Sequence, residues 1–211
     1  MADDLVIIGA GGHGRETLDV IEAINEAGST RWRFLGFVDD GEVQQERLDR
    51  RGARVLRSDD LDPGEVRYVI GIGDAGARGA IAERMTRAGF TPATLVHPEA
   101  TMGGDVRIAD GVILAAGARV TTNVSIGRHS QLNVGACVSH DCEVGDFVTL
   151  SPGALVNGEC TIGDRAFFGT GAIVTPRRAI GADAKVGAGA VVLSDVPPQT
   201  TFVGVPARPA P

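Results

Sequence analysis

Val120-Thr-Thr-Asn-Val-Ser-Ile126-Gly-Arg-His-Ser-Gln-Leu132-Asn-Val-Gly-Ala-Cys-Val138-Ser-His-Asp-Cys-Glu-Val144-Gly-Asp-Phe-Val-Thr-Leu150 carries a large aliphatic residue at every sixth place. Followed outward, the series runs back through Leu114, Ile108 and Met102 to Val96 and forward through Val156, Ile162, Phe168, Val174, Ile180 and Val186 to Val192, without a slip. Four places after nearly every member stands a small or β-branched residue, as at Ala118, Val124, Ser130, Ala136, Cys142, Ala154 and Cys160, with Arg178 the exception. An α-helix repeats every 3.6 residues and a strand every 2, so neither produces this spacing. A unit of six that makes one short strand and one corner does, and three such units close a coil. The large residues then stack in files inside a three-sided prism, beside small partners because its interior is narrow. Each buried aliphatic contributes about 1.5 to 3 kcal/mol, so the files make a core although aromatic content is only 4%. Cys142 and Cys160 fall on the small inward places and read as buried hydrophobes. Cys137, beside a corner, stays open.

The earlier part of the chain has another rhythm, strands alternating with helices. Leu5 to Ile8 reads as a strand ending in Gly9, followed by a helix from about Arg15 to Ala27 with Leu18, Ile21 and Ile24 on one face and Gly28 as its stop. Strands follow around Phe34 to Val38, near Val55 and at Val66 to Ile72, then a helix from Ala77 to Ala88 with Ile81 and Met85 one turn apart. The expected architecture is an α/β, Rossmann-like unit over residues 1–94 and an all-β prism over residues 95–211.

A net charge of -7 excludes general nucleic-acid binding, which rests on clustered Lys and Arg. No apolar run approaches the roughly 20 residues of a membrane helix. Met1-Ala-Asp-Asp4 is acidic where a secretory signal is basic, so the chain reads as cytoplasmic. Cys137, Cys142 and Cys160 lack CxxC spacing and indicate neither a disulfide framework nor a zinc site. His97, His129 and His140 lack the close spacing of a shared metal site, which disfavours a metal-dependent hydratase on this scaffold.

Gly9, Gly11 and Gly14 make GxGxxG between a strand and a helix, where a backbone approaches phosphate closely and a helix N-terminus offers partial positive charge. Asp39-Asp40 closes the next strand, in reach of a ribose or base, and Gly71-Ile-Gly73-Asp74 ends the third. A dinucleotide such as NAD and a nucleotide diphosphate sugar satisfy this arrangement equally, and glycines that merely make tight turns are the plain alternative. His13 lies inside the loop, beside any bound phosphate or sugar. His140 occupies the third place of the hexad Val138-Ser-His-Asp-Cys-Glu143 and projects from the wall, suited by its ordinary pKa near 6.5 to accept a proton. Asp141 is in sequence to orient it, although strand neighbours face opposite ways unless a corner intervenes.

Together with the Gly9–Gly14 turn, the hexads resemble the hexapeptide-repeat acyltransferases over essentially the whole chain, and most closely the sialic-acid O-acetyltransferase-like family that includes bacterial bacillosamine and perosamine N-acetyltransferases. Val138-Ser-His-Asp-Cys-Glu-Val-Gly-Asp-Phe147 resembles that family's catalytic segment, and Phe202-Val-Gly-Val-Pro-Ala-Arg208 its usual ending. The resemblance implies a homotrimer in which a left-handed parallel β-helix holds acetyl-CoA between subunits and the N-terminal unit holds a nucleotide-linked amino sugar, UDP- or GDP-activated. It implies His140 as general base and Asp141 as its partner, in place of the Glu of some relatives. It further implies contacts to the nucleotide sugar from Gly12, His13, Gly14, Asp39, Asp40 and Gly73, and to acetyl-CoA from the backbone of Gly158, Gly169 and Thr170. No metal is implied. Thr149 stands where relatives often carry a second histidine. The implied activity is N-acetylation of the sugar in polysaccharide or glycan biosynthesis. The competing readings are O-acetylation of sialic acid or another sugar hydroxyl, a non-catalytic nucleotide-sugar-binding scaffold, and an NAD-dependent enzyme, for which a second catalytic α/β half is missing.

Overall fold

The computed structural model describes residues 2–28 and 32–210, and the chain divides into two compact units, Met1–Leu95 and Val96–Pro211. In the first, strands β1 (Asp3–Ile8), β2 (Trp32–Val38), β3 (Val55–Leu56), β4 (Val66–Ile70) and β5 (Thr91–Pro92) form a parallel sheet in the order β3-β2-β1-β4-β5. Leu5, Val6, Ile7 and Ile8 are all buried, the unbroken apolar run of a central strand covered on both faces.

Helix α1 (Gly12–Glu26) buries Thr17, Leu18, Ile21 and Ile24. It starts earlier than the Arg15 that periodicity suggests because Gly14 has no side chain: a Cβ there would lie 1.9 Å from the Gly9 carbonyl oxygen. Its absence seats the first helical turn directly on the end of β1. Helix α2 (Gln45–Asp49) buries only Leu48 and is too short to register as a period. Helix α3 (Ala75–Arg87) buries Arg78, Ala82 and Met85, a stripe headed by a cation and not by Ile81.

In the second unit the chain passes in turn through an eight-, a six- and a five-stranded sheet, the three faces of a left-handed parallel β-helix. Register partners lie 18 residues apart, as in Arg119 with Cys137, Glu143 with Thr161 and Thr149 with Phe167, so three hexads close one coil. From Leu114 to Val192 every member of the large series is at most 4% exposed. Met102 departs from the expected inward file at 47% exposure, because the first coil has a neighbouring coil on one side only. Beyond Val192 the last coil shortens: Lys185 pairs with Thr201, 16 residues on, and Val196 takes the buried place.

The three corners turn on residues with left-handed backbone. Between the eight- and six-stranded faces these are Gly117, Gly135, Gly153, Gly171 and Gly189. Between the six- and five-stranded faces they are Asp105, Asn123, Asp141, Glu159 and Arg177, at φ of 50 to 61°, where a side chain costs about 1 kcal/mol. The third corner carries His129, Phe147, Arg165 and Asp183, and ion pairs staple its coils: Arg128 to Asp146 at 2.7 Å and Arg165 to Asp183 at 2.7 and 2.8 Å.

Candidate active site

β2, β1 and β4 end side by side at the carboxyl edge of their sheet, where strand order reverses and such sheets take ligands. Gly9, at φ +100°, turns the chain into α1, whose first turn is Gly12-His13-Gly14 at the positive end of the helix. The glycines divide into two groups. Gly9, Gly14 and Gly71 are packed, a Cβ on Gly71 falling 2.5 Å from the Gly14 Cα, whereas Gly11, Gly12 and Gly73 have open space in that direction. The packed group is explained by strand-to-helix contact, and the open group leaves backbone accessible to a ligand. His13 is mostly covered, with Nδ1 3.4 Å from Glu16 Oε2.

Asp39 braces the loop: its carboxylate accepts the N–H of Ala10 at 2.7 Å and of Gly41 at 2.9 Å, tying the end of β2 to the glycine turn. Asp40 is exposed and meets Arg84 Nη1 of α3 at 3.2 Å. Arg78, fully buried, donates from Nη1 to the carbonyls of Ile72 and Gly73 at 2.9 and 3.0 Å, clamping the third turn. Burial pulls its pKa down to about 10, which leaves it charged at neutral pH. Arg78 escapes a search for apolar periodicity, and its one sequence signal is a cation four residues after the Asp74 cap.

On the β-helix, the left-handed φ of 59° at Asp141 falls at a corner and brings adjacent side chains to one side, so that His140 Nδ1 lies 2.7 Å from Asp141 Oδ2. The other oxygen, Oδ1, accepts from Asn123 Nδ2 at 3.0 Å. The bond from Asn123, then that from His140, hold the Asp141 carboxyl below the usual carboxylate range. A carboxylate at Nδ1 keeps the proton there and leaves Nε2 as the acceptor. The two side chains are 53% and 48% exposed. Gly158, one coil on, is buried, and a Cβ there would stand 2.4 Å from His140 Cε1 and 2.5 Å from Nε2; the imidazole lies against bare backbone. Below the corner Cys142 and Cys160 are 0% and 1% exposed. Hydrogen bonding to Cys160 and burial push the Cys142 thiol up, the behaviour of a core residue.

Gly169 and Thr170 belong to the glycine corner. Gly169 is packed, a Cβ falling 2.5 Å from Ala188 N, while Gly135, Gly153, Gly171 and Gly189 leave an open strip, with nothing within 4 Å of a Cβ. Within one chain Gly158 and Thr170 are not brought together, since they lie at opposite ends of the six-stranded face. Along that face the outward file begins with Thr101 and Arg119 and turns apolar at Cys137, Leu155, Ile173 and Val191, where the five-stranded face presents Ser125, Glu143 and Thr161. Thr149 is 3% exposed. His129 is also buried, stacked on Phe147 with ring centroids 5.4 Å apart. Among the described residues no group of three or more His, Cys, Asp or Glu is arranged to hold a metal, and no helix is long and apolar enough to cross a membrane.

Residues 4–85 match the family described as the PglD N-terminal domain. A variant of perosamine N-acetyltransferase from Caulobacter crescentus, solved with CoA and GDP-perosamine, is 33% identical with a TM-score of 0.86, the alignment covering 100% of this chain and 98% of that one. The acetyltransferase domain of PglB from Neisseria gonorrhoeae, solved with acetyl coenzyme A, is 32% identical with a TM-score of 0.87 and 100% coverage of both chains. WeeI from Acinetobacter baumannii is 28% identical at 0.86, covering 99% of this chain and 100% of its own. No curated protein matches the sequence. Identity of 33% sustained from end to end on one shared fold makes the chain a member of the hexapeptide-repeat sugar N-acetyltransferase family.

Proposed function

We propose that this chain transfers the acetyl group of acetyl-CoA to the amine of a UDP- or GDP-linked amino sugar, by direct attack and with His140 as general base. The observation that carries the reading is the His140–Asp141 pair at 2.7 Å, which engages Nδ1 with a carboxylate and leaves Nε2 beside the bare backbone of Gly158. Bound acetyl-CoA supplies an activated thioester. The sugar amine attacks its carbonyl, His140 Nε2 takes the amine proton, and a backbone N–H at the same corner stabilises the negative oxygen; the tetrahedral adduct then collapses, the carbon–sulfur bond breaks, and CoA leaves as its thiol after taking the proton from His140. No covalent enzyme intermediate is needed.

The N-terminal unit is assigned the nucleotide sugar, with Gly12, His13, Gly14 and Gly73 at the ligand and Asp39, Asp40 around it. Gly158, Gly169 and Thr170 are assigned to acetyl-CoA. The open glycine strip fits an extended ligand arm, since every Cβ that would fill it is missing. Because Gly158 and Thr170 stand on different corners, both reach one ligand only across neighbouring chains. The apolar file between them supports a homotrimer packed on that face. We assign the reaction to the cytoplasm and to polysaccharide or glycan assembly.

Replacement His140→Ala is expected to lower kcat by roughly 10² to 10⁴ while leaving oligomeric state and nucleotide binding intact. Acetyl-CoA consumption against UDP-, GDP- and dTDP-linked amino sugars and their hydroxyl counterparts is the measurement; near-normal turnover by the variant would remove His140 from the mechanism.

A further inference from the structure

We infer that Asn123 is a positioning residue for this acetyl transfer, acting through Asp141 to hold the imidazole of His140; the inference rests on the reading of His140 as the base. Asn123 stands one coil before Asp141 in the same corner, at φ 57°, a conformation that asparagine tolerates better than most side chains. Its Nδ2 is 3.0 Å from Asp141 Oδ1, while Asp141 Oδ2 is 2.7 Å from His140 Nδ1. The ionised carboxylate only accepts, so the amide must turn its NH₂ toward it. Each oxygen of Asp141 thus has its own donor, and rotating the carboxylate breaks one bond or the other.

That second anchor matters because the pair is about half exposed. Without it water competes for Asp141, the carboxylate turns, and the proton on His140 is no longer confined to Nδ1. The neighbouring charges make the neutrality of Asn123 informative. Asp105 and Arg107 flank it on the preceding coil, Glu143 follows His140 on its own coil beside the buried Cys142 thiol, and Glu159 and Arg177 continue the corner column. Asn123 is the one uncharged member of a column that otherwise reads Asp105, Asp141, Glu159, Arg177. An acid in its place would lose the donor and set four carboxylates on successive coils, Asp105, position 123, Asp141 and Glu159.

Two substitutions keep the left-handed turn and remove the donor, Asn123→Asp and Asn123→Gly. Each is expected to lower kcat about tenfold, the lower end of what an outer partner orienting an imidazole contributes on metal sites, with KM for both substrates within about twofold. In Asn123→Asp the added negative charge moves the acid limb of kcat/KM, and the NMR titration of the His140 ring, to higher pH. In Asn123→Gly the ¹⁵N shifts of His140 change from the Nδ1–H tautomer to a mixture. A fall in kcat with both the pH profile and the tautomer unchanged reduces Asn123 to a structural role and overturns the inference, as does unchanged kcat in both variants. The ring's tautomer is read independently of turnover, so a failure of His140 as base, seen in His140→Ala, is distinguishable from a failure of Asn123 to position it.

Discussion

His140 and Asp141 are neighbours that a strand would point to opposite faces, and they meet because the left-handed corner at Asp141 intervenes. The same scale explains Gly158, which offers the ring a seat no other residue leaves open. With a Cβ 2.4 to 2.5 Å from two ring atoms, Gly158→Ala must push the imidazole away, and a displacement near 1 Å costs about 10²-fold. Steady-state kcat is expected to fall by that order while the melting temperature stays within a few degrees; unchanged turnover would show that the ring is not held there. Asp39 teaches the opposite lesson. Its place after β2 suggests a ligand contact, and its bonds to Ala10 and Gly41 make it a brace as well, a role visible only once two loops are side by side.

At the scale of elements, the meeting of β1 with α1 depends on missing side chains. Gly14→Ala would put a methyl 1.9 Å from the Gly9 carbonyl oxygen, forcing the helix off the strand end. Overpacking of this kind costs about 1 to 3 kcal/mol, so urea unfolding should show that loss together with weakened nucleotide binding by calorimetry. Wild-type binding in the variant would mean that the glycine turn is not where the nucleotide sits. Strand β1 and the buried side of α1 are legible from apolar runs and spacing. The start of α1 is not, because glycine is a poor helix former by propensity and only packing against Gly9 reveals why it is inside. In α3 the buried Met85 is legible from the sequence and the head of its stripe is not, since that member is Arg78 and the carbonyls of Ile72 and Gly73 that satisfy it come from outside the helix.

At the scale of the whole molecule, the six-stranded face carries an apolar stretch from Cys137 to Val191, after Thr101 and Arg119 on its first coils, with Leu155 39% exposed within it. A charge there leaves the prism interior untouched, since Leu155 points away from Val156, but desolvating it in a subunit contact is costly. If the proposed homotrimer packs on this stretch, Leu155→Asp is expected to give monomers by sedimentation and to lower acetyl transfer at least tenfold, about 1.4 kcal/mol of transition-state stabilisation. A trimer that survives the substitution would move the interface to another face.

Hexads alone determine the prism, because stacking one large residue per face at each coil is the way a period of six buries its apolar members, and the register of 18 is three times that period. The alternating strands and helices of the earlier unit were legible for the same reason, each face repeating at its own interval. What the tertiary structure decides is which residues at turning points touch. Asn123, Asp141, His140 and Gly158 are spread over 36 residues of sequence and are brought to one corner by coil stacking. Arg78 and Asp39 likewise find their partners in other loops. Contacts across strand ends leave no periodic trace, and those across coils fall at the 18-residue interval without any repeat of residue type to mark them, since they depend on distance in space between single polar groups and not on the repeated burial of apolar ones.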